Sequence, residues 1–358
     1  MKEKATLASL SPYVPGRPIA DVQKEFKLDK VVKLASNENP FGFSQRVQEA
    51  LAQSLTGLEY YPDGGAKALK EAIANVNQVP EERILVGAGL DDVIQIISRS
   101  LLSPGDEIIV ADPTFSQYEL HAVIEGAKVV KVPVKQSSGE MDLEAMLEAI
   151  TAKTKIIWLC NPNNPTGTYL PQSLIRAFIK KVPTDVLVIS DEAYQEYVTD
   201  EAISTSLPLL ETLSNIIVMR TFSKAYGLAG LRIGYAIIPT TVSRAFDIVR
   251  PPFNTSTIAQ KAAIVALEDQ AFIEHSVAVN QEELAKWETF LEAKQLPYYH
   301  SQANFIFFDV KQDSKALAQH LMQRGFIVRA GLRPEWLRIT IGHAADNQAI
   351  RTILEELL

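Results

Sequence analysis

Between residues 83 and 238 the chain carries a succession of short apolar runs: Arg83–Val86, Ile108–Val110, Lys128–Val132, Ile156–Leu159, Val186–Ile189, Ile216–Met219 and Ile233–Ile238. Several are apolar at every position, as strands buried on both faces must be. Helical spacing lies between some of them. Leu90, Val93, Ile94, Ile97 and Leu101 follow the Gly87-Ala88-Gly89 turn, and Asp142–Ile150 and Gln172–Lys181 read as helices. Strands that alternate with helices predict an α/β fold built on a mostly parallel sheet flanked by helices.

The chain has 358 residues, a length that suggests about two domains. After Pro251-Pro252 the pattern changes. Ile258–Leu267 and Phe272–Leu291 read as helices, Asn304–Phe308 as a strand, Lys315–Arg324 as a helix, and Phe326–Arg329 and Trp336–Ile341 as strands. This predicts a large domain over 31–250 and a small C-terminal α/β domain over 251–358. The first 30 residues, with Pro12, Pro15 and Pro18, read as an extended arm that packs with the small domain and the active site.

Acidic residues outnumber basic ones, the formal net charge is −8, and no Lys/Arg run occurs, which argues against a nucleic-acid or membrane-surface partner. The one cysteine, Cys160, excludes an internal disulfide and a cysteine-cluster zinc site, and no metal is expected. A lone thiol suits the cytoplasm. No run reaches the ~18 apolar residues of a membrane span, and Met1–Leu10 does not read as a secretory signal.

Ligands of open parallel sheets bind beyond the carboxyl ends of the strands, so the residues after each strand matter most. Ile156–Leu159 is followed by Asn161-Pro162-Asn163-Asn164-Pro165-Thr166-Gly167, Val186–Ile189 by Ser190-Asp191-Glu192-Ala193-Tyr194, and Ile216–Met219 by Arg220-Thr221-Phe222-Ser223-Lys224. An amide, a carboxylate and an amine are thus sent to one region. Lys224 taken alone is either a solvated surface lysine or an amine able to form a Schiff base with an aldehyde. Thr221, Ser223 and Arg232 are groups that bind phosphate, and aldehyde, phosphate and lysine together point to pyridoxal phosphate. Asp191 either caps the turn after it or pairs with a protonated pyridine nitrogen. Tyr194, three residues on, could share its face and hydrogen-bond a ring hydroxyl. Asn163 is either a turn residue or a donor to the same oxygen. The Gly87–Leu90 turn is either a tight connection or a phosphate site at a helix start. Phe115 is either core or a stacking partner for an aromatic ring.

Taken together, Asn161–Gly167, Asp191–Tyr194 and Ser223–Tyr235 resemble the fold-type I pyridoxal-phosphate aminotransferases over nearly the whole chain. Within that family the chain resembles most the branch acting on histidinol phosphate. The markers are Ser11-Pro12-Tyr13-Val14-Pro15-Gly16-Arg17-Pro18, Leu34–Pro40, Tyr60-Tyr61-Pro62-Asp63-Gly64 and Trp336–Gly342. The resemblance implies that Lys224 carries the cofactor, that Asp191 pairs with its ring nitrogen, and that Asn163 and Tyr194 hold its ring oxygen. It implies a phosphate site of Gly89, Leu90, Thr221, Ser223 and Arg232, Asp91 as a further cofactor-binding residue, and stacking by Phe115. It also implies a homodimer with shared active sites, in which Tyr61 reaches the neighbouring subunit's cofactor phosphate. Arg338 would take a substrate carboxylate or phosphate, with Arg329, Tyr13 and Asn37 as helpers. The reaction implied exchanges the amino group between histidinol phosphate and 2-oxoglutarate, giving imidazole-acetol phosphate and glutamate. Transamination of aromatic amino acids and decarboxylation of a phosphorylated threonine are the alternatives. Leu90, Asp92, Phe115 and Arg17 depart from the family's commoner residues, and none removes a necessary group.

Overall fold

The structure, a computed structural model, describes residues 2–12, 16–200 and 205–358. Every strand expected between 83 and 238 forms. They are β2 (Ile84–Gly87), β3 (Glu107–Asp112), β4 (Lys128–Pro133), β5 (Thr154–Cys160), β6 (Leu187–Asp191), β7 (Ile216–Thr221) and β8 (Gly234–Ile237), β1 being the short strand Val32–Lys33. They make one seven-stranded sheet in the order β2-β8-β7-β6-β5-β3-β4. All pairings are parallel except those of β8, which is antiparallel to both neighbours. The continuous apolar runs reflect the two cores that sandwich this sheet. One holds Ile157, Leu159, Val188 and Val218. The other takes the alternate side chains Ile156, Trp158, Ile189 and Met219.

A second sheet has the order β11 (Arg329–Arg333), β12 (Trp336–Thr340), β9 (Phe305–Asp309) and is antiparallel throughout. Its core joins Ile306, Phe308, Leu337 and Ile339 to Trp287 and Leu291 of the long helix Gln270–Ala293, to Ile350 and Leu354 of the last helix, and to Leu34. The core on the large sheet takes in Ala259, Ala262, Ala263 and Leu267 of the helix Thr257–Glu268, beyond the expected boundary near 250.

Two details differ from the sequence reading. The expected extended arm contains a helix, Ile19–Phe26, opened by Pro18 and closed by Lys27 in the left-handed region. Val22 and Phe26, four apart, pack with Val31, Ile327 and Met322, which supplies the apolar contact the prolines obscure. The run Phe326–Arg329 also splits. β10 (Phe326–Ile327) pairs in parallel with β1, and the chain then changes partner so that β11 pairs with β12.

The loop after β7 is fixed by a close backbone approach. Gly227 has φ +72°, and a Cβ there would run into the carbonyl of Gly42. Gly230, three residues on, has open space around it. Gly227→Ala combines left-handed strain with this overlap and should cost about 2 kcal/mol or more, whereas Gly230→Ala should change stability by less than about 0.5 kcal/mol. Urea denaturation of the two variants tests the contrast, and equal midpoints would show that the loop is free to move away.

Candidate active site

The ladder brings Cys160 and Asp191, the last residues of β5 and β6, abreast of Met219, two residues before the end of β7. Beyond them lies a cavity of about 250 Å³. Most of the residues expected from sequence line it: Asn37, Leu90, Asp91, Phe115, Asp191, Tyr194, Thr221, Ser223, Lys224, Arg232, Arg329 and Arg338.

Lys224 donates to the carbonyl of Ser36 at 2.9 Å, and its Nζ lies 5.7 Å from the centre of the Tyr194 ring. Burial first, and then the positive charge of Arg338, lowers its amine to about 8. Asp191 is only 2% exposed. Its Oδ2 accepts from the Tyr118 hydroxyl at 2.5 Å and its Oδ1 from the Ala193 N–H at 3.1 Å. Burial raises its carboxyl to about 6 against the opposing pull of these two donors, so the group is ionised at pH 7. The buried Tyr194 hydroxyl accepts from Asn37 Nδ2 at 2.9 Å, and desolvation holds its proton on. Asn37 is itself held in the left-handed region, φ +56°, by Thr340, whose Oγ1 accepts from the Asn37 N–H and donates to its Oδ1.

A second group of donors gathers at the start of the helix Leu90–Leu101. Gly89, at φ +80°, opens it without a side-chain cap, so the first N–H groups are not consumed by a capping side chain. Gly234 of β8 and Gly87 of β2 face each other in the ladder and let these backbones approach. A Cβ on Gly89 would stand 2.5 Å from Arg232 Nη2. Arg232 also reaches Ser223 Oγ and pairs with Asp91 at 3.5 Å. Asp92 turns the other way and accepts from the Ala88 N–H and from Asn254. Helix N–H groups, two hydroxyls and a guanidinium around a glycine at positive φ are the donor set a phosphate dianion requires.

Arg329 and Arg338 sit directly opposite each other on β11 and β12. Arg338, 7% exposed, donates from Nη2 to the Ala35 carbonyl at 2.6 Å and from Nη1 to Asn164 Oδ1.

Some expected residues lie elsewhere. Asn163 does not line the cavity. It is fully buried, donates to the Pro113 carbonyl and Thr166 Oγ1, and accepts from Thr114. The amide that lines the cavity is that of Asn164. Two adjacent asparagines between prolines offer no sequence signal to choose one, because the backbone path of the turn decides. Tyr61 is 82% exposed, stacked on Phe253 at 4.7 Å and outside the cavity. Tyr13 lies outside the described residues. Tyr118 was missed altogether. Its only signal in the sequence is its place three residues after Phe115.

The lowered Lys224 amine has a consequence for stability. Below pH 8 the lysine is charged in folded and unfolded chains alike, and its burial is fully opposed. Between about 8 and 10.5 the folded chain gives up the proton first, so stability rises with pH across that window. In protein freed of bound small molecules, Lys224→Met should be more stable than the parent at pH 7 by up to about 3 kcal/mol, with the gap closing towards pH 10.5. Chemical denaturation at several pH values checks this, and a gap independent of pH would mean that the amine is not destabilised by burial.

The aminotransferase class I and II family model matches residues 29–357. The chain is 49% identical to the histidinol-phosphate aminotransferase of Bacillus velezensis, covering 100% of both chains. It is 48% identical to that of Geobacillus thermodenitrificans, covering 100% of this chain and 98% of the relative. A crystal structure of histidinol-phosphate aminotransferase from Sinorhizobium meliloti in complex with pyridoxal-5'-phosphate superposes with a TM-score of 0.89 at 28% identity, over 99% of this chain and 97% of that one.

Proposed function

Because the chain belongs to the class I and II aminotransferases, we propose that it moves the amino group of histidinol phosphate to 2-oxoglutarate, with pyridoxal phosphate as cofactor. The observation that carries this is the convergence of a partly buried amine, a buried carboxylate and a phosphate cradle on one cavity, with two arginines on adjacent strands across it. Its full-length likeness to curated histidinol-phosphate aminotransferases supports the choice of substrate.

The residues present fit that cofactor. The helix start at Leu90, the hydroxyls of Thr221 and Ser223, and Arg232 would hold the phosphate. Asp191 would face the ring nitrogen, Asn164 and Tyr194 the ring oxygen, and Phe115 the ring itself. Pyridoxal phosphate supplies an aldehyde that takes up the amino group and a protonated ring that accepts electrons from the substrate's α-carbon.

Lys224 serves as the general base and then the acid that moves the α-proton. An amine lowered to about 8 can take and return a proton near neutral pH. Asp191, whose carboxylate accepts two hydrogen bonds, would keep the ring nitrogen protonated. Tyr194, kept in place by Asn37, keeps its own proton for donation. Arg329 and Arg338 take the anionic end of the substrate, phosphate in one half-reaction and carboxylate in the other. Planar guanidinium groups match both, which a lysine would not.

We place the enzyme in the cytoplasm, where the buried Cys160 stays reduced. No helix among the described residues is long and apolar enough to cross a membrane. We further propose a homodimer with shared sites. Tyr61 and Phe253 form an exposed aromatic pair near the exposed Leu58 and Tyr60, and an apolar face of this kind suits a second copy.

The decisive measurement follows the cofactor absorbance on mixing the loaded enzyme separately with histidinol phosphate, glutamate, phenylalanine and phosphothreonine. Histidinol phosphate and glutamate should react. Phenylalanine should be slower, and phosphothreonine should release no carbon dioxide. Lys224→Ala should slow the half-reaction by at least roughly 10²–10⁴-fold. A strong preference for phenylalanine would replace the substrate assignment with that of an aromatic transaminase.

The dimer is tested by mixing chains. Lys224→Ala and Tyr61→Ala proteins, each of low activity alone, should after subunit exchange recover up to about a quarter of wild-type activity, because half of randomly mixed dimers are hybrids with one intact site. No recovery after verified exchange would place Tyr61 outside the partner's site.

A further inference from the structure

Tyr118 is absent from the cavity wall, so it is not placed to touch cofactor or substrate. It is nevertheless fully buried and meets three residues that do line the cavity, Phe115, Cys160 and Asp191. It projects from the helix Gln117–Ile124. Its hydroxyl donates to Asp191 Oδ2 at 2.5 Å. Its ring stands edge-on to Phe115, with centroids 5.6 Å apart and planes at 81°. The ring is itself locked by flat stacking on Trp158 at 4.5 Å and 10°. Resting on the aminotransferase reading of the site, we propose that Tyr118 is a positioning residue for the reaction: its hydroxyl keeps Asp191 ionised and aimed into the cavity, and its ring edge holds Phe115.

The groups around Asp191 show why a donor is needed there. Burial disfavours its charge, and the nearby carboxylates of Glu192 and Asp91 add to that cost. The Cys160 thiol is neutral, its proton held by burial up to about 12, and Tyr194 is a neutral phenol. The stabilising contacts are the backbone N–H of Ala193 on Oδ1 and the Tyr118 hydroxyl on Oδ2. A donor to a desolvated carboxylate favours the ionised form and fixes its direction. The Tyr118 phenol cannot itself take over the charge, because burial and the neighbouring Asp191 push its own proton affinity well above the usual range. With the hydroxyl removed, Asp191 would compete with the pyridine nitrogen for a proton instead of serving as its counter-charge.

Tyr118→Phe keeps the ring contacts with Trp158 and Phe115 and removes only the donor. The loaded enzyme, carrying pyridoxal phosphate labelled with ¹⁵N in the ring, reports by NMR whether the ring nitrogen is protonated. In Tyr118→Phe the nitrogen should lose its proton at a pH lower by about one unit or more, and kcat should fall about tenfold with KM within about twofold. A fluorotyrosine installed at position 118 is a stronger donor of similar shape. It should move the nitrogen's titration the opposite way, which keeps the test available if the phenylalanine variant folds poorly. A wild-type nitrogen titration or a wild-type kcat in Tyr118→Phe overturns the proposal, as does a lowered melting temperature with both unchanged. Asp191→Asn separates this from the underlying reading. If that variant leaves the ring nitrogen protonated, the assignment of Asp191 itself is wrong, whatever Tyr118 does.

Discussion

Cys160, Asp191 and Met219 stand abreast because β5, β6 and β7 are hydrogen-bonded in parallel, and the chemistry of the site hangs on that alignment. Strands buried on both faces have no freedom to slip, since a shift of one residue would exchange the side chains of the two cores. The register therefore fixes where each loop leaves the sheet. Asn164 lies four residues beyond Cys160, Asp191 is itself the end of β6, and Lys224 lies five residues beyond Met219. The antiparallel β8 completes the arrangement by setting Gly234 against both Gly87 and Thr221, which brings the helix start at Gly89 beside the loop that carries Ser223 and Lys224.

The electrostatics follow from the same burial. Desolvation pushes Lys224 and Asp191 towards their neutral forms, the amine down to about 8 and the carboxyl up to about 6. The surroundings then treat the two differently. Asp191 receives two hydrogen bonds that favour its charge, whereas Lys224 donates to a neutral carbonyl and feels the repulsion of Arg338. One group is kept charged and the other is readied to give up its proton, so two ionisable groups at one cavity take different tasks.

How much of this could be read in the sequence varies with the physics involved. The strands of the large sheet were legible because burial on both faces writes itself as unbroken apolar runs, and the ends of those strands located Asp191, Lys224 and the hydroxyls with them. The choice between Asn163 and Asn164 was not legible. Both follow β5, and only the path of the turn sends one amide to Thr114 and Thr166 and the other to the cavity. Tyr118 was hidden for a different reason. A tyrosine on an apolar helix face reads as core, and it is core, stacked on Trp158. Its hydroxyl matters only because a distant strand delivers Asp191 to it. The helix Ile19–Phe26 was masked by neighbouring prolines, although its apolar pair at 22 and 26 was in plain view.

The segment from Leu34 to Asn39 runs between the small sheet and the loop after β7 and orients two cationic side chains at the cavity. The Leu34 carbonyl accepts from the Thr340 N–H of β12, the Ala35 carbonyl from Arg338, the Ser36 carbonyl from Lys224, and the Asn39 amide donates to the Ala225 carbonyl. Two of the four cationic side chains at the cavity, Lys224 and Arg338, thus donate to neutral oxygens of one short stretch, with Asn164 adding another to Arg338. Neutral acceptors orient a guanidinium and relieve its desolvation without cancelling its charge. The bonds to Ala35 and Asn164 are already charge-assisted on the donor side. The contacts of Arg338 with Ala35 and Asn164 are short and directional, so they fix the guanidinium at the cavity wall while leaving its charge in place.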